Sequence, residues 1–230
     1  MSIAQNLENI HKEVASIATN CGRQPEEIQI VAVSKRFPSE AIEQAYKAGQ
    51  MLFGENYIQE AEKKIAELDN KPLFHFIGHL QRNKAKTAAR LFDCIETVDS
   101  FKLAKSLNGH LEREGRVLKI LLQVNIGKDP KKAGTTEQET EKLLQEIKQL
   151  PHLRAVGLMT MPPLTDAPEE ARPYFRNLRM LSERLTSKGL FDSDHKVELS
   201  MGMSGDYPIA IEEGATIIRI GTAIFGTRSY

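Results

Sequence analysis

Lys35 closes a short apolar run, Gln29-Ile-Val-Ala-Val-Ser-Lys35, and its amine is the nucleophile around which the chain reads as chemistry. A β-branched run of this length reads as a buried strand, and a lysine at its carboxyl end stands where parallel α/β sheets present their reactive groups. A lysine drawn into such a place is costly as a bare ammonium ion, and Schiff-base lysines are made in that setting. The pattern points to Lys35 as the anchor of an aldehyde cofactor. A solvated lysine at a strand exit is the plainer alternative.

Other residues at strand ends supply what such a cofactor would need. Ser200-Met-Gly-Met-Ser-Gly-Asp206 puts two glycines and two hydroxyls between a strand and a short helix. Gly221-Thr222 follows the last strand. Glycines permit close backbone approach and free N–H groups bind oxyanions, so the two turns together read as a phosphate cradle, or else as ordinary glycine-containing βα turns. Arg219 lies two residues before Gly221, on the same face of the pleat. It would either face a pyridine-type ring nitrogen, to which a guanidinium gives up no proton, or form a structural ion pair with Glu198 or Glu213. Asn56, after Gly54-Glu55, would orient the cofactor or cap a helix. His75 and His79 have HxxxH spacing on one strand face, but no third ligand is evident and no metal is expected. Lys128, Lys131 and Lys132 form a small basic loop whose plain reading is solvated surface.

The elements that must position these groups alternate along the chain. Strands are expected at 29–35, 51–56, 73–79, 94–98, 117–125, 153–159, 197–201 and 216–221, with amphipathic helices between them. An extra helix at 2–21 carries Ile3, Leu7, Ile10, Val14 and Ile17 on one face, with Ser2 as its N-cap and Gly22 as its stop. Thr136 and Glu139 have capping-box spacing. Eight βα units close into a (β/α)8 barrel more naturally than into an open sheet. The eighth unit lacks a full-length helix, a gap the first helix is expected to cover. No composition shift divides the chain, so one domain over 1–230 is expected.

The 230 residues carry 31 basic and 31 acidic side chains, a balance that supports neither a general nucleic-acid binder nor an anionic-membrane binder. Cys21 and Cys94 have no metal spacing and suggest a reducing compartment. The first eight residues show no signal-peptide pattern and no apolar run approaches ~18 residues, so a cytoplasmic location is expected.

Several stretches, in order, resemble the pyridoxal phosphate homeostasis protein family. They are Ala32-Val-Ser-Lys35, Phe53-Gly-Glu-Asn-Tyr-Ile-Gln-Glu60, His75-Phe-Ile-Gly-His-Leu-Gln-Arg-Asn-Lys84, Gly157-Leu-Met-Thr-Met161, Leu199-Ser-Met-Gly-Met-Ser204 and Arg219-Ile-Gly-Thr-Ala-Ile-Phe-Gly226. Arg36 stands where a threonine is common in that family, and Phe74 where a tryptophan often precedes the histidine. The resemblance implies a TIM barrel like the N-terminal domain of alanine racemase, the type III fold of pyridoxal-phosphate proteins. It implies a Schiff base between Lys35 and pyridoxal 5′-phosphate, phosphate contacts from Ser204, Gly221 and Thr222, and ring contacts from Asn56, Met201 and Arg219. Lys132 matches a family lysine with a secondary cofactor role. The implied function is buffering, storage or delivery of the cofactor to apo-enzymes by a monomer, without catalytic turnover.

A racemase-like enzyme is the chief alternative. Two-base racemisation needs an acid/base on each face of the carbanion, and Lys35 serves one face only. Racemases resembling this barrel take the opposing tyrosine from a second domain, for which the stretch after the last strand leaves no room. Tyr57, Tyr174 and Tyr207 are the candidates within the chain. A lysine-dependent aldolase and a pure interaction module are the remaining alternatives.

Overall fold

Runs such as Ile30-Val-Ala-Val33 and Leu118-Lys-Ile-Leu-Leu122 are apolar on both faces, so each must be covered on both, by a barrel interior and by helices. The computed structural model describes residues 2–70, 72–163, 167–192 and 196–226. Its strands are β1 (Gln29–Val33), β2 (Leu52–Glu55), β3 (Leu73–Phe76), β4 (Cys94–Val98), β5 (Leu118–Gln123), β6 (Leu153–Met159), β7 (Glu198–Met203) and β8 (Ile217–Ile220). All pair in parallel and in chain order, and β8 pairs back onto β1 to close the barrel. The helices are α1 (Ile3–Asn20), α2 (Ser39–Lys47), α3 (Ile58–Glu67), α4 (Ala85–Leu91), α5 (Phe101–Glu114), α6 (Glu137–Ile147), α7 (Arg172–Ser187), α8 (Tyr207–Glu212) and α9 (Thr222–Phe225). The architecture is the expected (β/α)8 barrel.

Two apolar clusters follow from the strand alternation. Val31, Leu52, Cys94, Leu121, Val156, Met159 and Ile217 fill the barrel interior. A larger cluster joins the outward faces of the strands to the helices, with Phe53, Phe92, Leu111 and Phe175 fully buried. No described helix is long and apolar enough to cross a membrane.

Helix α1 covers the gap left by the short α9. It packs against α2, α8 and α9, and Asn6 Nδ2 donates to the Ile224 carbonyl at 2.8 Å. Its expected punctuation is present: the Gln5 amide donates to Ser2 Oγ at 3.2 Å, and Gly22 has φ +74°. Thr136 Oγ1 accepts from the Glu139 amide at 3.3 Å.

Most strand ends fall one to three residues from the sequence reading, and three of the differences bear on candidate residues. Strand β1 stops at Val33, so Lys35 lies in the following turn, where Arg36 adopts φ +63°. Strand β3 stops at Phe76, so His79 is exposed beyond it and the two histidines share no strand face. Strand β7 runs on to Met203, which pairs with Arg219 across a bulge. Residues 164–166 of the expected loop before α7, and Tyr230, lie outside the described residues.

Gly157 pairs with Glu198, and a Cβ at this position would stand 2.0 Å from the Glu198 carbonyl oxygen. Gly157→Ala is expected to cost about 3 kcal/mol or more through this overlap. Gly109→Ala, in open space on α5, should instead stabilise by about 1 kcal/mol. Urea midpoints of the two variants, moving in opposite directions, check the barrel packing.

Candidate functional site

The turn that carries Lys35 is held from both sides. Lys64, on α3 and only 6% exposed, donates to the Ser34 carbonyl at 2.8 Å and pairs with Glu55 at 2.5 Å. Glu60, one helical turn earlier, accepts from the Arg36 amide at 2.5 Å and from Lys64 at 2.8 Å. Ser34 Oγ donates to the same Glu55 oxygen at 2.7 Å. Burial pushes the Glu55 carboxyl above its ordinary value, opposed by Lys64 and Ser34. The backbone on each side of half-buried Lys35 is therefore fixed by a buried ion cluster. The left-handed Arg36 is tolerated because Glu60 holds its amide.

Closure of the barrel brings the last turns beside this one. Ala32 pairs with Ile220, and a Cβ built on Gly221 would lie 3.5 Å from Val33 Cβ. Phe37, two residues past Lys35, stacks on Phe225 of α9 with ring centroids 5.0 Å apart. Ser204 follows the end of β7. Among the described residues, the hydroxyls of Ser204 and Thr222 and the amides of Ser204 and Gly205 make no hydrogen bond. Asp206 instead accepts from the Met203 amide at 2.6 Å and shapes the turn. Two uncommitted hydroxyls with uncommitted amides are the donor set an oxyanion takes.

Asn56 lies at the end of the neighbouring β2. It makes no side-chain cap to α3, whose N-cap is Tyr57, and its Oδ1 is buried without a partner. An orphaned buried acceptor at the mouth fits a ligand donor, since such atoms otherwise cost stability. The Asn56 main chain is closely packed: a Cβ on Gly78 would fall 2.2 Å from its carbonyl oxygen.

Arg219 is 4% exposed and points into the barrel. Its Nη1 donates to Ser200 Oγ at 2.6 Å and its Nη2 to the Thr160 carbonyl at 2.9 Å. Ser200 Oγ in turn donates to Glu96 Oε2 at 2.5 Å, and His75 Nδ1 lies 2.7 Å from Glu96 Oε1. The expected partners Glu198 and Glu213 are engaged elsewhere. Glu198 accepts the Thr216 hydroxyl, and Glu213 meets Arg172, Arg176 and Arg179 on α7. The reason is pleat geometry: Arg219 faces the axis, where Glu96 of β4 also points. Burial alone would raise the Glu96 carboxyl, but the His75 hydrogen bond, the His75 and Arg219 charges and the Ser200 hydroxyl hold it below its ordinary value. Burial pushes Arg219 down, and Glu96 and Asp206 oppose that.

Met201 is fully buried in the outer apolar cluster shared with the helix faces, so the groups it can turn toward a ligand are main-chain ones. Lys132 Nζ donates to the Pro162 carbonyl at 2.6 Å and to that of Met161 at 3.3 Å, and so ties the loop after β5 to the loop after β6. Tyr57 is exposed at the same mouth, whereas Tyr207 is buried and its hydroxyl meets Glu13 of α1. Sequence reasoning missed Glu96 and the Glu55–Lys64–Glu60 cluster. A lone carboxylate in the apolar run Cys94-Ile-Glu-Thr-Val98 and the i,i+4 pair Glu60/Lys64 were the available signals.

Residues 5–229 match the family model of the alanine racemase N-terminal domain. The chain is 43% identical to the pyridoxal phosphate homeostasis protein of Vibrio alginolyticus, covering 100% of this chain and 99% of the relative. It is 41% identical to the protein of that name from Escherichia coli K12, covering 99% and 97%. Among solved structures, PipY of Synechococcus elongatus with pyridoxal phosphate bound superposes with a TM-score of 0.86 at 37% identity, covering 98% of this chain and 100% of that one. Alanine racemase from Corynebacterium glutamicum shares the fold, with a TM-score of 0.67 at 17% identity over 99% of this chain and 61% of that one.

Glu96→Gln removes the carboxylate nearest the buried Arg219 charge in its network, leaving only the more distant Asp206, and should cost about 3 kcal/mol at neutral pH. Because the Glu96 carboxyl is lowered in the folded state, its contribution is complete above the unfolded carboxylate value of about 4.3 and fades as pH falls below it. The deficit of the variant should therefore narrow from pH 6 to pH 3, as read from urea midpoints.

Proposed function

We propose, because this chain belongs to the pyridoxal phosphate homeostasis protein family, that it binds pyridoxal 5′-phosphate at the carboxyl mouth of the barrel and serves to hold and hand over that cofactor. The observation that carries this reading is the meeting of two distant turns. The Lys35 turn and the Gly221–Thr222 turn lie on adjoining strands and are clasped by the Phe37–Phe225 stack.

Each side chain then has a task. Lys35, in a turn whose backbone is fixed by the Lys64–Glu55–Glu60 cluster, would hold the cofactor through its amine at the aldehyde carbon, with the aldehyde oxygen leaving as water. Ser204, Gly221 and Thr222 receive the phosphate through two hydroxyls and turn amides. Asn56 offers its unpartnered Oδ1 to the ring substituents. Met201 supports that wall through its main chain. Arg219, locked by Ser200 and the Thr160 carbonyl, presents a charge that yields no proton to the ring nitrogen. Bound pyridoxal phosphate supplies an electrophilic carbonyl and a conjugated chromophore, and without a protonated ring nitrogen it is a weak electron sink. That electronic setting favours holding over turnover, in keeping with relatives named as homeostasis proteins rather than enzymes. The protein acts as a monomer in the cytoplasm and passes its cofactor to apo-enzymes on contact.

Lys35→Ala should fold normally and lose the visible absorption that wild-type protein gains with the cofactor; an unchanged spectrum would refute Lys35 as the anchor. Ser204→Ala combined with Thr222→Ala should weaken pyridoxal phosphate about a hundredfold or more, taking about 1.5–3 kcal/mol for each of two hydrogen bonds to a charged group. Pyridoxal, lacking the phosphate, should bind both proteins alike in the same titration. Loaded protein should activate an apo-enzyme faster in free solution than across a dialysis membrane, and should release no D-alanine from L-alanine. Equal rates on both sides of the membrane would reject direct handover.

A further inference from the structure

The opposite, amino-terminal mouth of the barrel is open. A cavity of about 300 Å³ lies there, bounded by residues at the strand starts such as Gln29 and Glu198 and floored by Leu121, Val156 and Ile217. Strand alternation explains its cations. Lys119 lies two residues before Leu121 and Arg154 two before Val156, so both side chains share the inward face. The two are also register partners on adjoining strands. Like charges directly abreast in a sheet repel, and here both side chains stay exposed at the rim of the mouth, where solvent moderates the repulsion without removing it.

Two carboxylates, Glu198 and Asp192, share the cavity wall, and neither forms an ion pair with Lys119 or Arg154 among the described residues. Glu198 accepts the Thr216 hydroxyl, Asp192 accepts the Ala155 amide at 3.1 Å, and Lys196 pairs with Glu27 at 2.5 Å. Among the described residues, Lys119 and Arg154 make neither a hydrogen bond nor an ion pair. His75 also reaches this cavity. Its Nδ1 is held by Glu96, and its Nε2 makes no hydrogen bond among the described residues.

We infer that the amino-terminal mouth is a second binding site, for a small organic anion whose oxygens bridge Lys119 and Arg154 and whose apolar body rests on Leu121, Val156 and Ile217. The guanidinium suits a two-oxygen anion, and the bridge removes the repulsion between the two cations. The apolar floor favours an organic acid over an inorganic ion. At about 30 Å³ of space per water-sized group, the cavity holds roughly ten non-hydrogen atoms. The site is separate from the carboxyl mouth and independent of the cofactor reading.

The test uses protein saturated with pyridoxal phosphate, so that the upper phosphate cradle is filled. Butyrate, inorganic phosphate and butylammonium are titrated by calorimetry, with amide and imidazole NMR shifts recorded in parallel. Butyrate should bind, shift the signals of Lys119, Arg154 and His75, and raise the melting temperature. Inorganic phosphate should bind at least tenfold more weakly and butylammonium not at all. Lys119→Gln and Arg154→Gln should each weaken butyrate at least tenfold, and Arg154→Lys by less. With no anion present, Lys119→Gln should melt no lower than wild type, because it relieves the repulsion. Failure of butyrate to bind, equal binding by the variants, shifts confined to the carboxyl mouth, or phosphate binding as tightly as butyrate would each overturn the assignment.

Discussion

Pairing of β8 with β1 is the constraint on which the rest depends. Four residue pairs, from Gln29 with Ile217 to Ala32 with Ile220, join two strands from opposite ends of the chain. Closure removes the sheet's edges and creates an interior that must be filled. It also sets the Lys35 turn beside Gly221 and Thr222. An open sheet of the same strands would leave these turns on opposite edges. The Phe37–Phe225 stack and the Asn6 bond to Ile224 secure the join from outside, which is why a chain with a one-turn α9 uses α1 as its last covering helix.

The interior is filled in layers of different character. Toward the amino-terminal mouth it is largely apolar, with Val31, Leu121, Val156 and Ile217 meeting near the axis. Above them runs a polar chain, His75–Glu96–Ser200–Arg219, ending on the Thr160 carbonyl. Taking these charges out of water is expensive, and a hydrophobic layer would generally serve stability as well or better. What the polar chain supplies is orientation. Arg219 has one carboxylate within the network and two fixed acceptors, so its guanidinium is held in one pose beneath the carboxyl mouth.

The same economy of buried charge operates outside the barrel wall. Lys64 is held by Glu55, Glu60 and the Ser34 carbonyl, and these bonds grip the backbone on each side of Lys35. The backbone of the turn that carries Lys35 is thus fixed by rigid supports on both sides, the arrangement that pre-organises a contact group. The cluster comes from α3 and β2, so the geometry at Lys35 is set by elements that follow it by some twenty to thirty residues.

The alternation of strands and helices, the covering role of α1, the Ser2 and Thr136 caps and the places of Asn56, Ser204 and Gly221 in the turns after their strands were legible in the residues alone, whereas Lys35, read as the last residue of β1, sits in the turn beyond it. These rest on short-range physics: a period of two or 3.6, a side-chain cap, a glycine's freedom. What escaped was every question of which distant group a side chain meets. Glu198 and Glu213 looked like partners for Arg219 because they are near in sequence, yet Glu96, more than a hundred residues earlier, takes that place through Ser200. Met201 reads as a mouth residue by position, but its side chain turns outward among the helix faces. His75 and His79 lost their common face when β3 ended at Phe76. Local sequence pattern determines what elements form and which residues end them, because those energies are summed over neighbours in the chain. Only tertiary closure decides charge partners and facing, because the register between strands far apart in sequence is chosen by packing the whole interior at once.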